Sequence, residues 1–408
     1  MKRVVITGMG IVSSLGCKLS EVTESLRQGR SGLRNVAELR AAGLPSGVFA
    51  PVQGFDENCI DPRSRRTMSS AALYAVVAAQ SALQDAGLAR DQLEPSRTAV
   101  IVGGEMGGVN ELAAMHRLLH AGKKSRSGTA GTTKAMDSTT SGNIASFMGL
   151  QGRAFAISAG TCSGLAAIRH GAQLVAQGVA DLALCGGADE DGWRYLGPAL
   201  SRCGELPTGY DDQPERACRP FDAARRGVVL SAGSAMFVLE SEDHARQRGA
   251  RLLAEVVGWG SASDGAGSLR PNGRGLRRAI EQALVQAREQ GLAKLDYIHS
   301  GANGTRVGDA VEATVLREFF GNEVRVSSTT GLSGSAVGAG SAIGAALTVL
   351  MLRERFIAPT TNLELVAPEC AGLRHVYEQQ PIEIQSALCT AASFGCFNES
   401  LVLRWVEG

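Results

Sequence analysis

Ile157-Ser158-Ala159-Gly160-Thr161-Cys162-Ser163-Gly164 is the stretch on which the fold reading turns. A short apolar run, Ala154–Ile157, enters this turn of small residues, and a helical pattern leaves it over Ser163–Ala176. A strand feeding a helix through a tight turn puts the turn at the positive end of the helix dipole, which favours a thiolate. Cys162 is therefore the first candidate reactive group.

Working outward, strand-like and helical runs alternate, which predicts an α/β layered fold. Val4–Thr7, Thr98–Val102, Ala154–Ile157, Leu182–Cys185 and Ser234–Leu239 read as buried strands. Glu21–Arg27, Ser69–Ala86, Gly275–Gln290 and Ala342–Glu354 read as helices. Asp222–Gly227 reads as a turn-rich loop. A second round follows with Leu252–Val257, Tyr297–His299, Val324–Ser327 and a final hairpin near Glu383–Thr390 and Ser400–Trp405. The two rounds place halves at 1–250 and 251–408, with no low-complexity linker between them, so one compact unit is expected.

The chain has 408 residues, 44% apolar and 20% charged, ordinary for a globule with a large core. A net charge of +1 argues against global attraction to nucleic acid or membrane. No apolar run approaches the ~20 residues of a membrane span. The N-terminus enters a β-branched strand at once, with no signal-peptide pattern. Nine cysteines without metal-ligand spacing read as reduced thiols, so a cytoplasmic protein with no metal and no cofactor is expected.

The turn at 157–164 resembles the active-site turn of the β-ketoacyl-acyl-carrier-protein synthases, condensing enzymes of the thiolase-like fold. In that family the order is small-Ala/Gly-Cys-Ala/Thr-Ser/Thr-Gly/Ser; here Thr161 holds the nucleophile's place and Cys162 the next. Pro220-Phe221-Asp222, Val326-Ser327-Ser328-Thr329 and Pro359-Thr360-Thr361-Asn362-Leu363 are similar to family segments, and Gly186–Glu190 to its central interface strand. The resemblance covers the whole chain and implies a duplicated αβαβα architecture, although no internal sequence repeat is evident.

Condensation in that family needs a thiolate, two histidines and an oxyanion hole. The first histidine's place is held by Asn303 on local similarity, or by Gly301 on a gapless count back from Asp309. Thr330 stands for the family's lysine and Ser335 for its second histidine. The C-terminal gate loop reads Phe394-Gly395-Cys396-Phe397-Asn398, two residues short, and the gate after Arg225-Arg226-Gly227 is Val228. These departures all fall on catalytic parts. The pattern resembles a chain-length factor, the non-catalytic ketosynthase-like subunit that pairs with an active ketosynthase in type II polyketide, aryl-polyene or fatty-acid-like chain elongation. Such factors usually carry glutamine where this chain has Thr161. The resemblance implies that Thr133, Met136 and Ser138 face the partner's acyl tunnel, and that Arg63, Arg65 and Arg66 dock an acyl carrier protein. The alternative is a divergent active synthase or acyltransferase using Cys162; against it, one residue along a helix turns a side chain by about 100°, away from the tunnel, so the preferred reading of Cys162 is a small buried cysteine packing the turn.

Other motifs have plainer readings. His116 and His120 have chelating i,i+4 spacing but no third ligand nearby in sequence. Gly103-Gly104-Glu105-Met106-Gly107-Gly108 could cradle phosphate but lacks the P-loop lysine. Asp309 and Glu312 match an acidic pair of the family and read as structural hydrogen-bonding groups.

Overall fold

The computed structural model describes residues 2–122, 128–267 and 271–406. Its spine is an eleven-stranded mixed sheet. In chain order the strands are β1 (Val4–Val12), β2 (Thr98–Gly103), β3 (Ala154–Ile157), β4 (Leu182–Asp189), β5 (Gly233–Ser241), β6 (Ala254–Ser263), β7 (Tyr297–His299), β8 (Arg325–Ser327), β9 (Arg374–His375), β10 (Ser386–Ala392) and β11 (Phe397–Arg404). Across the sheet they lie in the order β9-β8-β7-β10-β11-β6-β1-β5-β4-β2-β3.

Outward from the antiparallel β1–β6 seam, the two sides repeat one pattern. One side runs β1, β5, β4, β2, β3; the other runs β6, β11, β10, β7, β8, with β9 added at its edge. In ranks along each half, both read first, last, fourth, second, third. The pairing senses repeat too: two antiparallel pairs, then two parallel pairs. A duplication with no evident sequence repeat is thus written in the topology.

Two helices, α5 (Ser163–Ala176) and α9 (Val337–Glu354), pack on each other between the sheet halves. Helix α1 (Ser70–Asp85) covers the outer face of the first half; α7 (Arg274–Glu289) and α8 (Arg306–Phe320) cover the second. The result is a five-layer α–β–α–β–α stack. The largest apolar cluster is the middle of it, where α5 and α9 meet both halves of the sheet.

One packing device occurs in both outer layers. Gly8 and Gly10 of β1 face the carbonyls of Ala82 and Ala78 of α1, which a Cβ would meet at 2.3 and 2.0 Å. Gly258 and Gly260 of β6 face Ala283 and Ala279 of α7, at 2.1 and 1.9 Å. In each half the helix lies directly on the strand backbone because no side chain stands between them.

Gly186 and Gly187 lie in β4, a buried strand between β5 and β2, and Gly186 packs closely on the Ala235 carbonyl, which its Cβ would meet at 1.9 Å. Two expectations need correction. Ala154–Ile157 is not a buried strand: β3 is the sheet edge, and Phe155 is exposed. Finally, α9 is long and apolar enough by composition to cross a membrane, but 78% of it is buried as a core layer.

Candidate active site

The turn at 157–164 lies between edge strand β3 and helix α5. It is wired internally: the Ser163 hydroxyl donates to the Gly160 carbonyl at 2.6 Å and accepts from the Ala159 N–H at 2.8 Å. This geometry turns residues 161 and 162 in different directions. Thr161 is half-buried and lines three cavities. Cys162 caps α5 and is fully buried in the central apolar cluster, its thiol donating to the Phe397 carbonyl at 3.2 Å. Burial, reinforced by the Glu399 carboxylate, pushes the Cys162 thiol well up from its ordinary range. The helix dipole does not overcome that desolvation. Cys162 is thus the small buried cysteine that packs the turn, and its thiol faces the core.

Thr161 and Asn303 are the two residues common to all three cavities. The first cavity, ≈ 50 Å³, is bounded by His299, Gly301, Thr330 and Ser335 and holds a few waters at most. The second, ≈ 360 Å³, is bounded by Glu205, Thr305, Asp309, Glu312 and Phe394. The third, ≈ 210 Å³, is lined by Glu105, Leu200, Val228, Leu230, Ser335 and Phe394. Residues far apart in sequence thus converge as the resemblance implied: Thr161, Gly301, Asn303, Thr330 and Ser335 share one neighbourhood. At position 301 a side chain would begin 2.8 Å from the Thr390 carbonyl oxygen, so that place is already tight. Asn303, unlike Gly301, borders all three spaces.

Thr161, Gly301, Asn303, Thr330 and Ser335 carry no side chain that ionises near neutrality. His299 is the imidazole at hand, and it is buried on β7, with Nε2 2.9 Å from the Thr329 hydroxyl. Burial lowers its pKa to about 4, which keeps it neutral. Thr330 and Ser328 both donate to the Ala302 carbonyl, at 2.8 and 2.6 Å, and so stabilise the turn after β7. Two carboxyls complete it. Asp309 accepts from the N–H groups of Phe221 (2.9 Å), Asn303 (3.1 Å) and Gly304 (3.2 Å). Glu312 accepts from the Thr390 hydroxyl at 2.5 Å and the Gly301 N–H at 3.1 Å. Burial raises both, Asp309 to about 7.

The two gates differ in outcome. Val228 and Phe394 reach the third cavity. Cys396 does not: it is buried, with its thiol on the Gly267 carbonyl at 3.3 Å. Phe397 starts β11 with its ring exposed.

The remaining candidates lie on the surface of the first half. Met136 and Ser138 are exposed and Thr133 is partly buried, all between β2 and β3 in sequence. Arg63 and Arg66 are exposed, whereas Arg65 pairs with Glu57 at 3.3 Å. His116 and His120 stack edge to face, centroids 4.4 Å apart, on helix α2 (Val109–His120). Among the described residues they join no metal-ligating group. The glycine loop at 103–108 is closed to phosphate by a residue the sequence reading missed. Buried Asp189 accepts from the N–H groups of Glu105 (3.1 Å), Met106 (2.8 Å) and Gly338 (2.7 Å). Ser393 was missed as well: its hydroxyl accepts from the Thr161 N–H at 3.1 Å. It lies 232 positions away, with no local motif to mark it.

Comparison with known proteins agrees with this geometry. Residues 1–245 match the family model "Beta-ketoacyl synthase, N-terminal domain" and residues 253–364 its C-terminal counterpart. The chain is 34% identical to the 3-oxoacyl-[acyl-carrier-protein] synthase 1 of Escherichia coli K12, over 99% of both chains. A β-ketoacyl synthase from Burkholderia phymatum superposes with a TM-score of 0.94 at 33% identity, covering all of both chains. A structure described as the ishigamide ketosynthase/chain length factor superposes at 0.92 with 29% identity, again over both full chains. With a thiolase-like core, a converged but altered reactive turn and matches that span both halves, the chain belongs to the β-ketoacyl synthase family.

Proposed function

We propose that this chain is a non-catalytic ketosynthase-like subunit, a chain-length factor, that pairs with an active ketosynthase and shapes the tunnel holding the growing acyl chain. The observation that carries the reading is Thr161. It stands at the meeting point of the cavities, where a thiolate would be needed, and its hydroxyl donates to the Ala392 carbonyl at 2.9 Å. A threonine hydroxyl with no base beside it is not a nucleophile at neutral pH. His299 is a poor candidate for that base: burial disfavours its protonated form, and its Nε2 is engaged by the Thr329 hydroxyl. Decarboxylation is unsupported as well, because Asn303, Gly301 and Ser335 offer no imidazole to an enolate.

The role left to such a subunit is physical. Met136 is exposed, and edge strand β3, with exposed Phe155, has one side unpaired in the sheet. A second ketosynthase-fold subunit would cover it, and Thr133, Met136 and Ser138 would then approach that subunit's tunnel. The partner would supply the cysteine and both histidines. An acyl carrier protein, named as the substrate carrier of the Escherichia coli relative, would deliver the chain, with Arg63 and Arg66 available to its acidic surface. The pathway fits type II polyketide, aryl-polyene or fatty-acid-like elongation.

The test is intact mass after incubation with acyl- and malonyl-carrier protein, with Cys162→Ala as control. The expected result is no adduct on this chain and acylation of a co-purifying ketosynthase. A stable adduct lost in Cys162→Ala would overturn the reading.

A further inference from the structure

Thr161 is tied twice to the β10–β11 hairpin. Its hydroxyl donates to the Ala392 carbonyl at 2.9 Å, and its N–H donates to the Ser393 hydroxyl oxygen at 3.1 Å. Ser393 is itself fixed. Its hydroxyl proton goes to the Phe394 carbonyl at 2.7 Å and its N–H to the Phe397 carbonyl at 3.0 Å. The oxygen lone pairs are thereby left for the Thr161 N–H. The approach is possible because residue 160 is glycine: a Cβ there would lie 1.8 Å from Ser393 Oγ, and φ is +59°. Gly160 and Ser393 fit each other as a pair.

A backbone N–H just ahead of a helix N-terminus is the kind of donor that stabilises the oxyanion formed when a thioester carbonyl is attacked. We propose that Ser393 Oγ occupies the position of that carbonyl oxygen. The hairpin Ala392–Phe397 then acts as a latch that closes the turn to thioesters, whatever residue stands at 161. The inference rests on family membership and on the placement of Thr161, and not on the partner subunit proposed above.

The test compares two reactions at one introduced thiol. Full-length Thr161→Cys is treated in parallel with iodoacetamide and with an acyl-N-acetylcysteamine thioester, and modification at position 161 is read by peptide mass. In acyl transfer the thiolate sulfur bonds to the carbonyl carbon, the thioester C–S bond breaks, and N-acetylcysteamine leaves as its thiolate. That route passes through an oxyanion; alkylation does not. The expected result is that adding Ser393→Ala raises acylation at least ~10-fold, a conservative fraction of what one oxyanion donor contributes. Alkylation should change by less than about twofold. Ser393→Thr, which keeps the hydroxyl, should stay closed and guards against a general loosening of the hairpin. The proposal is overturned if Ser393→Ala leaves the acylation-to-alkylation ratio unchanged, if both reactions rise together, or if Thr161→Cys alone acylates as fast as the double variant. None of these readouts requires a ketosynthase partner, so this latch and the subunit role can fail separately.

Discussion

In the first half of the molecule, the turn after β2 gives its amides to one carboxyl, Asp189, which also holds the first turn of α9. In the second half, the turn after β7 gives its amides to Asp309 and Glu312 of α8. The strand order is the same; the source of the carboxyl is not. Asp189 stands at the end of β4 and joins the two halves, whereas Asp309 joins its turn to the Phe221 segment within the second half. A repeated scaffold therefore does not fix the contents of its turns.

Removing either carboxyl is the harshest way to break the comparison. Asp189→Ala and Asp309→Ala each strand three buried N–H groups, at roughly 1–3 kcal/mol apiece. Against a typical stability of about 5–15 kcal/mol, both should cut soluble yield severely. If one variant unfolds in urea like the parent, that carboxyl is not the peg described here. The paired glycines come next. Gly10→Ala and Gly260→Ala push a Cβ into equivalent helix carbonyls, so each should cost on the order of 1–3 kcal/mol, and by similar amounts. Denaturation midpoints that differ widely between the two would show that the outer layers are not equivalent in packing.

Asp309 also carries a pH signature. Burial raises its pKa to about 7, while the amides of Phe221 and Asn303 and the Arg225 charge pull the other way. Its unfolded value is near 3.9. The folded state thus holds a proton that the unfolded state has lost, and the stability this contributes is present at low pH and lost as pH rises through about 7. The melting-temperature advantage of the parent over Asp309→Asn should shrink between pH 5 and pH 8. A gap that widens would mean that the carboxylate form is favoured by its amides after all.

Smaller effects separate core from surface. Cys162 should resist iodoacetamide in the folded chain while exposed Cys59 and Cys203 react, and Cys162→Ala should cost about 1 kcal/mol. Met136→Trp should leave stability within about 0.5 kcal/mol, since the side chain is 51% exposed. In the assembled complex, however, it should alter the length of the product chain. Unchanged products would move the tunnel contact elsewhere.

Much of this was legible before the structure. β3, α5 and β7 fall on the residues their patterns predict. Local periodicity and small-residue turns are enough for such elements, because adjacent residues supply the signal. The convergence of Thr161, Asn303, Thr330 and Ser335 was legible only through family resemblance. What stayed hidden was set by long-range packing. The duplication left one faint trace, Gly8-Met9-Gly10 against Gly258-Trp259-Gly260, too short to stand out among 51 glycines. Cys162 was legible from local geometry: one step along a helix start turns a side chain by about 100°, exchanging cavity for core, and a small buried cysteine is the reading that follows.

The central pairing of α5 with α9 also dictates when the protein can fold. α5 is synthesised long before α9, and at typical rates α9 follows on the order of ten seconds or more later. Until then the first half has no α9 to cover α5, and its apolar face must wait on the nascent chain, exposed to aggregation or held by a chaperone. A ribosome-bound chain ending near residue 250 should be protease-sensitive across α5 even though every strand of its half of the sheet has been made.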